Sequence, residues 1–182
     1  KLTIDGSPQG RTAWLHDPVP VPPEGKDASY HGYPAIDITL FNTKLAEAGT
    51  NNWQVFVHVN GDEAMQALID GVRTNGLPGK RTVAIHSQVV RREQLEDMKK
   101  LDIQPSFFAN HTWYWGDWHR DHTVGPVLAD NISPTGWCVK RGMKFSSHHD
   151  APVAFPDSMR VLDATVTRRS RSGDIIGPAQ RV

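Results

Sequence analysis

Two histidines and an aspartate follow three of the apolar runs in the sequence. His58 ends one β-branched and aromatic run, His86 ends the next, and Asp150 comes just after a later one. If these runs are parallel strands, the side chains lie at one edge of a sheet, because active groups in such folds sit at the carboxyl ends of strands. Imidazole and carboxylate groups bind zinc and similar cations. The spacing therefore predicts a metal site, although each histidine taken alone could be a hydrogen-bonded polar residue.

Strands alternate with amphipathic helices along the chain. The predicted strands are residues 1–5, 53–59, 82–86, 103–109 and 144–148. The predicted helices are residues 35–49, 62–73 and 92–100, helix-like pieces near 125–142, and a helix with Asp157 as its cap. This order predicts strand–helix units on a parallel sheet, and hence an α/β fold in a single domain over residues 1–182.

Two segments lack that pattern and are predicted to be loops. Residues 17–34 are rich in proline and glycine, which indicates a long irregular loop or a lid. Residues 110–124 are predicted to be an aromatic loop, which either walls a substrate pocket or folds over its own rings. Stacking of a flat or sugar ligand on residues 111–122 would make the protein a non-catalytic binding module, which is the alternative function.

The composition argues against nucleic-acid and membrane partners. Twenty Lys+Arg balance twenty Asp+Glu in 182 residues, so no net charge attracts anionic surfaces. No apolar run approaches the roughly 18 residues that a membrane span needs. The one cysteine, Cys138, cannot form an internal disulfide and is predicted to be a small buried thiol. The compartment stays open, with the cytoplasm favoured.

Five motifs resemble those of the metal-dependent amidohydrolases. KLTIDGS at residues 1–7 resembles the fourth strand of that family. HVNGD at 58–62, IHSQ at 85–88 and HDAPV at 149–153 resemble its strand-five, strand-six and strand-eight signatures, and TVTR at 165–168 resembles the helix that follows. The motifs are most similar to the branch that contains N-substituted formamide deformylase, amidohydrolase family 3.

The resemblance implies a partial (β/α)8 TIM barrel, strands four to eight, in a fragment of a longer chain. It also implies hydrolysis of a C–N bond in a small amide or formamide-like substrate, with a divalent metal, zinc, at one or two ions per intact site. The family's first-strand His-x-His pair is missing from the sequence, so the fragment is expected to be inactive alone. Open edges at strands four and eight predict a homo-oligomer that covers them.

The same resemblance assigns roles to individual residues. Lys1 matches a lysine that becomes carboxylated and bridges two metals, and His58 and His86 match the ligands on strands five and six. Carboxylation is needed because an ordinary lysine is a cation near neutral pH. Asp150 matches an aspartate that contacts metal and, as the catalytic residue, moves a proton to the leaving amine. His148 stands where relatives usually carry a small residue.

Further predictions concern polar residues around these ligands. Asp62 is interpreted as the N-cap of the next helix, or as a residue that orients a ligand histidine. Asp5 is interpreted as a strand-end turn residue, with a role at the site as the alternative. The arginine-rich residues 168–171 are predicted to be a solvated helix end. Substrate contacts are predicted for Gln88, His111, Trp115 and His149.

Overall fold

A five-stranded parallel sheet lies at the centre of the structure, a computed structural model that describes residues 1–182. The strands are β1 (Leu2–Thr3), β2 (Phe56–Val59), β3 (Val83–His86), β4 (Gln104–Phe107) and β5 (Ser146–Ser147). They lie side by side in chain order, and every neighbouring pair is parallel. This arrangement confirms the predicted α/β fold on a parallel sheet and is consistent with part of a (β/α)8 barrel.

Seven α-helices connect or flank the strands. They are α1 (Ile38–Thr50), α2 (Asp62–Thr74), α3 (Arg92–Leu101), α4 (Asn110–Trp118), α5 (Gly125–Ala129), α6 (Thr135–Lys140) and α7 (Ser158–Thr167). A π-helical turn, His119–Thr123, continues α4, and a 3-10 turn, Pro178–Gln180, follows later. The Asp157 carboxylate accepts two backbone N–H hydrogen bonds at the start of α7, which confirms the predicted cap. No helix combines the length and apolar character required to cross a membrane.

Helices cover one face of the sheet and leave the other open. Side chains along each strand alternate between the two faces because successive residues of a strand point in opposite directions. The covered face is part of an apolar core that includes Val57, Val59, Ala84, Phe107, Leu68, Leu95 and Met98. The open face carries Phe56, His58, Ile85, Ser106 and Ser146, which are exposed or half-buried. Cys138 is buried in the core, as predicted.

Residues 17–34 have no regular secondary structure, as predicted. Val19 is nevertheless buried in a second apolar cluster that also contains Ile176. The backbone N–H of Val21 donates to the carbonyl oxygen of His122 at 3.2 Å. The long segment after β1 is therefore packed against the segments that follow α4 and α7.

The prediction of a loop at residues 110–124 is wrong, because this segment forms α4 and the π-helical turn. The buried residues of α4 are Asn110, His111, Thr112 and Gly116. None of these is a large apolar residue, so the helix lacks the apolar stripe by which an amphipathic helix is recognised in a sequence. Helix α4 therefore packs against the rest of the protein through a polar face instead of an apolar stripe.

Two of the three tryptophan rings of α4 each have an arginine of the same chain over one face. The guanidinium of Arg160 lies 4.3 Å from the ring centre of Trp113, and that of Arg11 lies 5.1 Å from the ring of Trp118. Each arginine occupies one face of its ring, so a ligand cannot stack on that face of Trp113 or Trp118.

Arg168 is buried, so its prediction as part of a solvated helix end is wrong. Its Nε–H donates to the carbonyl oxygen of Ile176 at 2.9 Å, and Nη1 donates to that of Ser133 at 3.4 Å. Burial lowers the pKa of Arg168 to about 10, which leaves the guanidinium charged near neutral pH. Arg168 therefore ties the segment after α7 to the loop before α6, while Arg169 and Arg171 are exposed as predicted.

Candidate metal centre

Three side chains meet at the carboxyl ends of β3 and β5. His86, His148 and Asp150 each offer one ligand atom, and these atoms all lie within 4.8 Å of one another. His86 is buried, and the other two residues are half-buried. The ring of His58 adjoins this group, since its centroid lies 4.6 Å from that of His86. The structure therefore brings together His86 and Asp150 of the predicted ligand set and adds His148.

An unusual backbone conformation directs His86 towards this group. In the register of the sheet, His86 pairs with Val59 and Phe107, both buried on the helix-covered face. Regular alternation would place His86 on that face as well. Instead φ is +73° at His86 and +45° at Ser87, and the imidazole lies beside His58 from the open face. Such conformations cost on the order of 1–3 kcal/mol each and are concentrated at functional sites.

The strand pairing of β4 and β5 positions His148. Its backbone N–H donates to the carbonyl oxygen of Phe107 at 2.9 Å, so the ladder continues past the end of β5. His148 follows Ser146 by two residues and shares its face of the sheet. The ring stacks on Phe108, with centroids 5.7 Å apart and planes 18° apart. The Nδ1 atom lies 3.1 Å from the hydroxyl oxygen of Ser106.

Burial keeps the histidines of this group in their neutral form. It is the main cause that lowers the pKa of His58, His148 and His86, the last to about 2. The positive charge of Lys1 lowers all three further, whereas the Asp150 carboxylate partly offsets the effect at His58 and His148. A neutral imidazole has a free lone pair, which is the form that binds a metal ion.

The buried carboxylate of Asp5 fixes the chain behind His58. It accepts backbone N–H hydrogen bonds from Asn60 at 2.9 Å, Gly61 at 2.8 Å and Trp14 at 3.0 Å. One carboxylate oxygen lies 3.9 Å from Nδ1 of His58. Burial raises the pKa of Asp5 to about 7, against these hydrogen bonds. Asp5 therefore connects β1, the end of β2 and the loop between them.

Asp62 fills neither of its two predicted roles. Gly61 is the N-cap of α2 and offers no side chain for a cap hydrogen bond. The Asp62 carboxylate instead accepts from the backbone N–H of His16 at 2.9 Å and from Nη1 of Arg91 at 3.3 Å. A Cβ atom at Gly61 would lie 1.9 Å from the carbonyl oxygen of Trp14, so only glycine allows this close approach.

The other predicted site residues lie at different depths. Lys1 is exposed. Gln88 is fully buried, and neither polar atom of its side chain has a hydrogen-bond partner. His149 is half-buried and lines a cavity of about 220 Å³ together with His148 and Leu162. Of the predicted substrate contacts, His149 is therefore the one that borders an open cavity beside the metal-ligand group.

A second pair of histidines lies behind His86. The ring of His111 is buried 6.0 Å from that of His86. Its Nδ1 lies 3.4 Å from Nε2 of His119, whose Nδ1 lies 2.9 Å from the hydroxyl of Thr123. Trp115 packs 5.5 Å from His111. Ser106 escapes sequence reasoning because it does not end a strand, and only the fold brings it near the site.

Comparison with known proteins identifies the family to which the chain belongs. The whole chain, residues 1–182, matches the amidohydrolase family, and the chain belongs to that family. No curated protein sequence matches it.

Two crystal structures of uncharacterized metal-dependent hydrolases are similar to the chain. The protein from Pyrococcus horikoshii OT3 is 25% identical with a TM-score of 0.80, and the alignment covers 100% of this chain and 36% of that one. The protein from Pyrococcus furiosus is 22% identical, also with a TM-score of 0.80, and the alignment covers 100% and 35%. The chain thus spans about a third of the length of each, and both have its fold.

Because several histidines are buried, we predict that acid lowers the unfolding free energy of the metal-free protein. Burial lowers the pKa of His119 to about 3 and that of His111 well below its ordinary value. Since the unfolded chain takes up protons near pH 6.5 and the folded chain does not, stability falls as pH drops through this window. Burial raises the pKa of Asp5 to about 7 and also raises that of Asp62, and both act in the opposite direction, but two carboxyls oppose five histidines whose pKa is lowered.

We therefore expect the unfolding free energy to fall between about pH 6.5 and 4.5, by about 1.4 kcal/mol per pH unit for each net proton taken up. Urea unfolding followed by circular dichroism measures this slope. His119→Gln should flatten the profile, whereas His31→Gln, at an exposed position, should leave it unchanged. A profile that is flat in the unsubstituted protein would contradict the expectation.

Proposed function

We propose that the chain is part of a metal-dependent hydrolase that cleaves the C–N bond of a small amide or formamide-like substrate. The observation that carries the proposal is the group formed by His86, His148 and Asp150 at the carboxyl ends of parallel strands. Membership of the amidohydrolase family supports a hydrolytic reaction. The Pyrococcus horikoshii relative is described as a metal-dependent hydrolase, which supports a role for the ion.

The residues at this place fit a divalent cation. Nδ1 of His86 and Nε2 of His148 are buried and have no hydrogen-bond partner. A buried polar atom without a partner is costly, and a metal bond would remove that cost. The donor set of imidazole nitrogens and a carboxylate oxygen is typical of zinc, which we propose as the metal. His86 and Asp150 would hold it, with His58 alongside and a carboxylated Lys1 as a further ligand.

The side chains of this chain would divide the remaining work. When bound, the metal lowers the pKa of water and polarises a carbonyl oxygen. Asp150, a half-buried carboxylate beside neutral imidazoles, would accept a proton and return it to the leaving amine. Phe108 is fully buried against His111 and keeps water from the back of the group. His149 would face the substrate across its cavity, and Gln88, His111 and Trp115 are proposed as further substrate contacts.

We propose that β1 to β5 correspond to strands four to eight of a (β/α)8 barrel. The parallel order of the five strands supports this assignment, as does the TM-score of 0.80 to the relative from Pyrococcus horikoshii OT3. Since the chain spans 36% of that relative, we also propose that it needs further chain to turn over substrate.

A second copy of the chain is proposed to cover the open edges of the sheet at β1 and β5. Each edge strand is only two residues long, yet it presents unpaired backbone groups that favour association. We expect light scattering of the purified chain to report a dimer or larger assembly. A monomer at micromolar concentration would contradict this proposal.

The hydrolase proposal is tested with the whole gene product that contains this chain. Release of amine from small N-formyl and N-acyl amines is measured before and after a chelator removes metal. The proposal expects release that is lost with the chelator and restored by zinc. Release that persists in the chelated, metal-free protein would contradict it, and so would a zinc-loaded protein that releases no amine from either class.

A further inference from the structure

We propose that His148 is itself a metal ligand and that Ser106 fixes its ring for that role. This inference rests on the proposed metal-dependent function and deepens it, because it defines which side chains hold the ion. The resemblance that predicts Lys1, His58, His86 and Asp150 does not include either residue. Ser106 lies in β4, and His148 directly follows β5.

The position of His148 follows from the register of β4 and β5. Ser106 pairs with Ser146, so His148 lies one step further along the same open face. Its ligand atom lies within 4.8 Å of those of His86 and Asp150, and its ring centroid is 5.1 Å from that of His86. No other three histidine, cysteine, aspartate or glutamate side chains in the chain form such a group.

Ser106 determines which nitrogen of His148 faces the group. With Nδ1 3.1 Å from the Ser106 hydroxyl oxygen, the Nδ1–H can donate a hydrogen bond there. The lone pair is then on Nε2, which is buried and has no partner. Ligand histidines usually donate the other ring N–H to a neighbouring oxygen in this way, which holds the ring and its tautomer. The stack on Phe108 fixes the plane of the same ring.

The resulting set is two imidazoles and one carboxylate. That composition is found in catalytic zinc sites that keep a further position open for water or substrate. His86 ends β3, and His148 and Asp150 lie in the segment directly after β5. The inference therefore requires that the 182-residue chain binds zinc by itself, even where turnover needs further chain.

Zinc binding to the purified 182-residue chain tests this inference. Isothermal titration gives affinity and stoichiometry, and the visible absorption of bound Co²⁺ reports a change of ligand. We expect one ion per chain. His148→Ala should weaken zinc binding more than about 100-fold, beyond the effect expected of an outer residue, and should change the cobalt spectrum. Ser106→Ala should weaken binding about 10–100-fold, and Ser106→Thr should restore it.

Matched controls separate the possible outcomes. Ser147→Ala and His31→Ala change exposed residues of the same types and should bind zinc as the unsubstituted chain does. Full binding by His148→Ala, with binding lost in His86→Asn and Asp150→Asn, would overturn the ligand role of His148 and leave the proposed function intact. Full binding by Ser106→Ala would overturn the role of Ser106. A folded chain that binds no zinc would contradict both this inference and the proposed metal centre.

Discussion

Asp150→Asn is expected to lower kcat for amide hydrolysis by the whole gene product by about 10²–10⁴-fold, the range by which positioned proton transfer accelerates reactions. The amide of asparagine cannot accept and return a proton as a carboxylate does. It also removes one negative charge from the group of His86, His148 and Asp150. The fold should persist, because φ at Asp150 is +54°, a conformation that asparagine adopts readily.

Metal content measured alongside kcat separates the two losses. If the Asp150→Asn protein is saturated with zinc and still has a low kcat, the substitution has impaired proton transfer. If it contains no zinc, the substitution has impaired metal binding. Asp102→Asn is the matched control, since Asp102 is exposed, has φ of +58° and lies outside the site. Turnover by zinc-loaded Asp150→Asn at the rate of the unsubstituted protein would contradict the catalytic role of Asp150.

His86→Asn is expected to weaken zinc binding to the 182-residue chain by more than about 100-fold, because changes to residues outside the ligand shell already cost about 10–100-fold. His86 is the most buried member of the group and has a partnerless Nδ1. Asparagine suits the φ of +73° at this position better than alanine does, so backbone strain should not increase. Isothermal titration measures the affinity.

His31→Asn serves as the control for His86→Asn. It changes an exposed histidine that lies outside the group of potential ligands. Urea unfolding of both proteins checks that the fold is retained. Equal zinc affinity in His86→Asn and in the unsubstituted chain would exclude His86 as a ligand.

Periodicity was sufficient to predict the elements that build the site. The apolar runs before His58 and His86 are strands β2 and β3, and the amphipathic pattern after His58 is α2. Parallel pairing then places strand ends together, so His86 could be named from the sequence. The left-handed backbone conformation of His86 could not be predicted, since no residue in HSQ at 86–88 requires it.

Long-range contacts account for what the sequence did not reveal. His148 ends the predicted strand 144–148, but its contact with Ser106 depends on the register that sets Ser106 opposite Ser146, and no local pattern specifies register between distant strands. The carbonyl groups of Ile176 and Ser133 accept hydrogen bonds from the buried Arg168 and offset the cost of its burial. These partners are separated from one another along the chain, so neither interaction leaves a signature in the local sequence.

The position of a bound zinc ion tests the central claim most directly. Crystals of the 182-residue chain grown or soaked with zinc are measured at the zinc absorption edge, where the ion gives an anomalous difference peak. We expect one strong peak in contact with His86, His148 and Asp150. A peak held only by other residues, with these three side chains unligated in zinc-saturated crystals, would contradict the account.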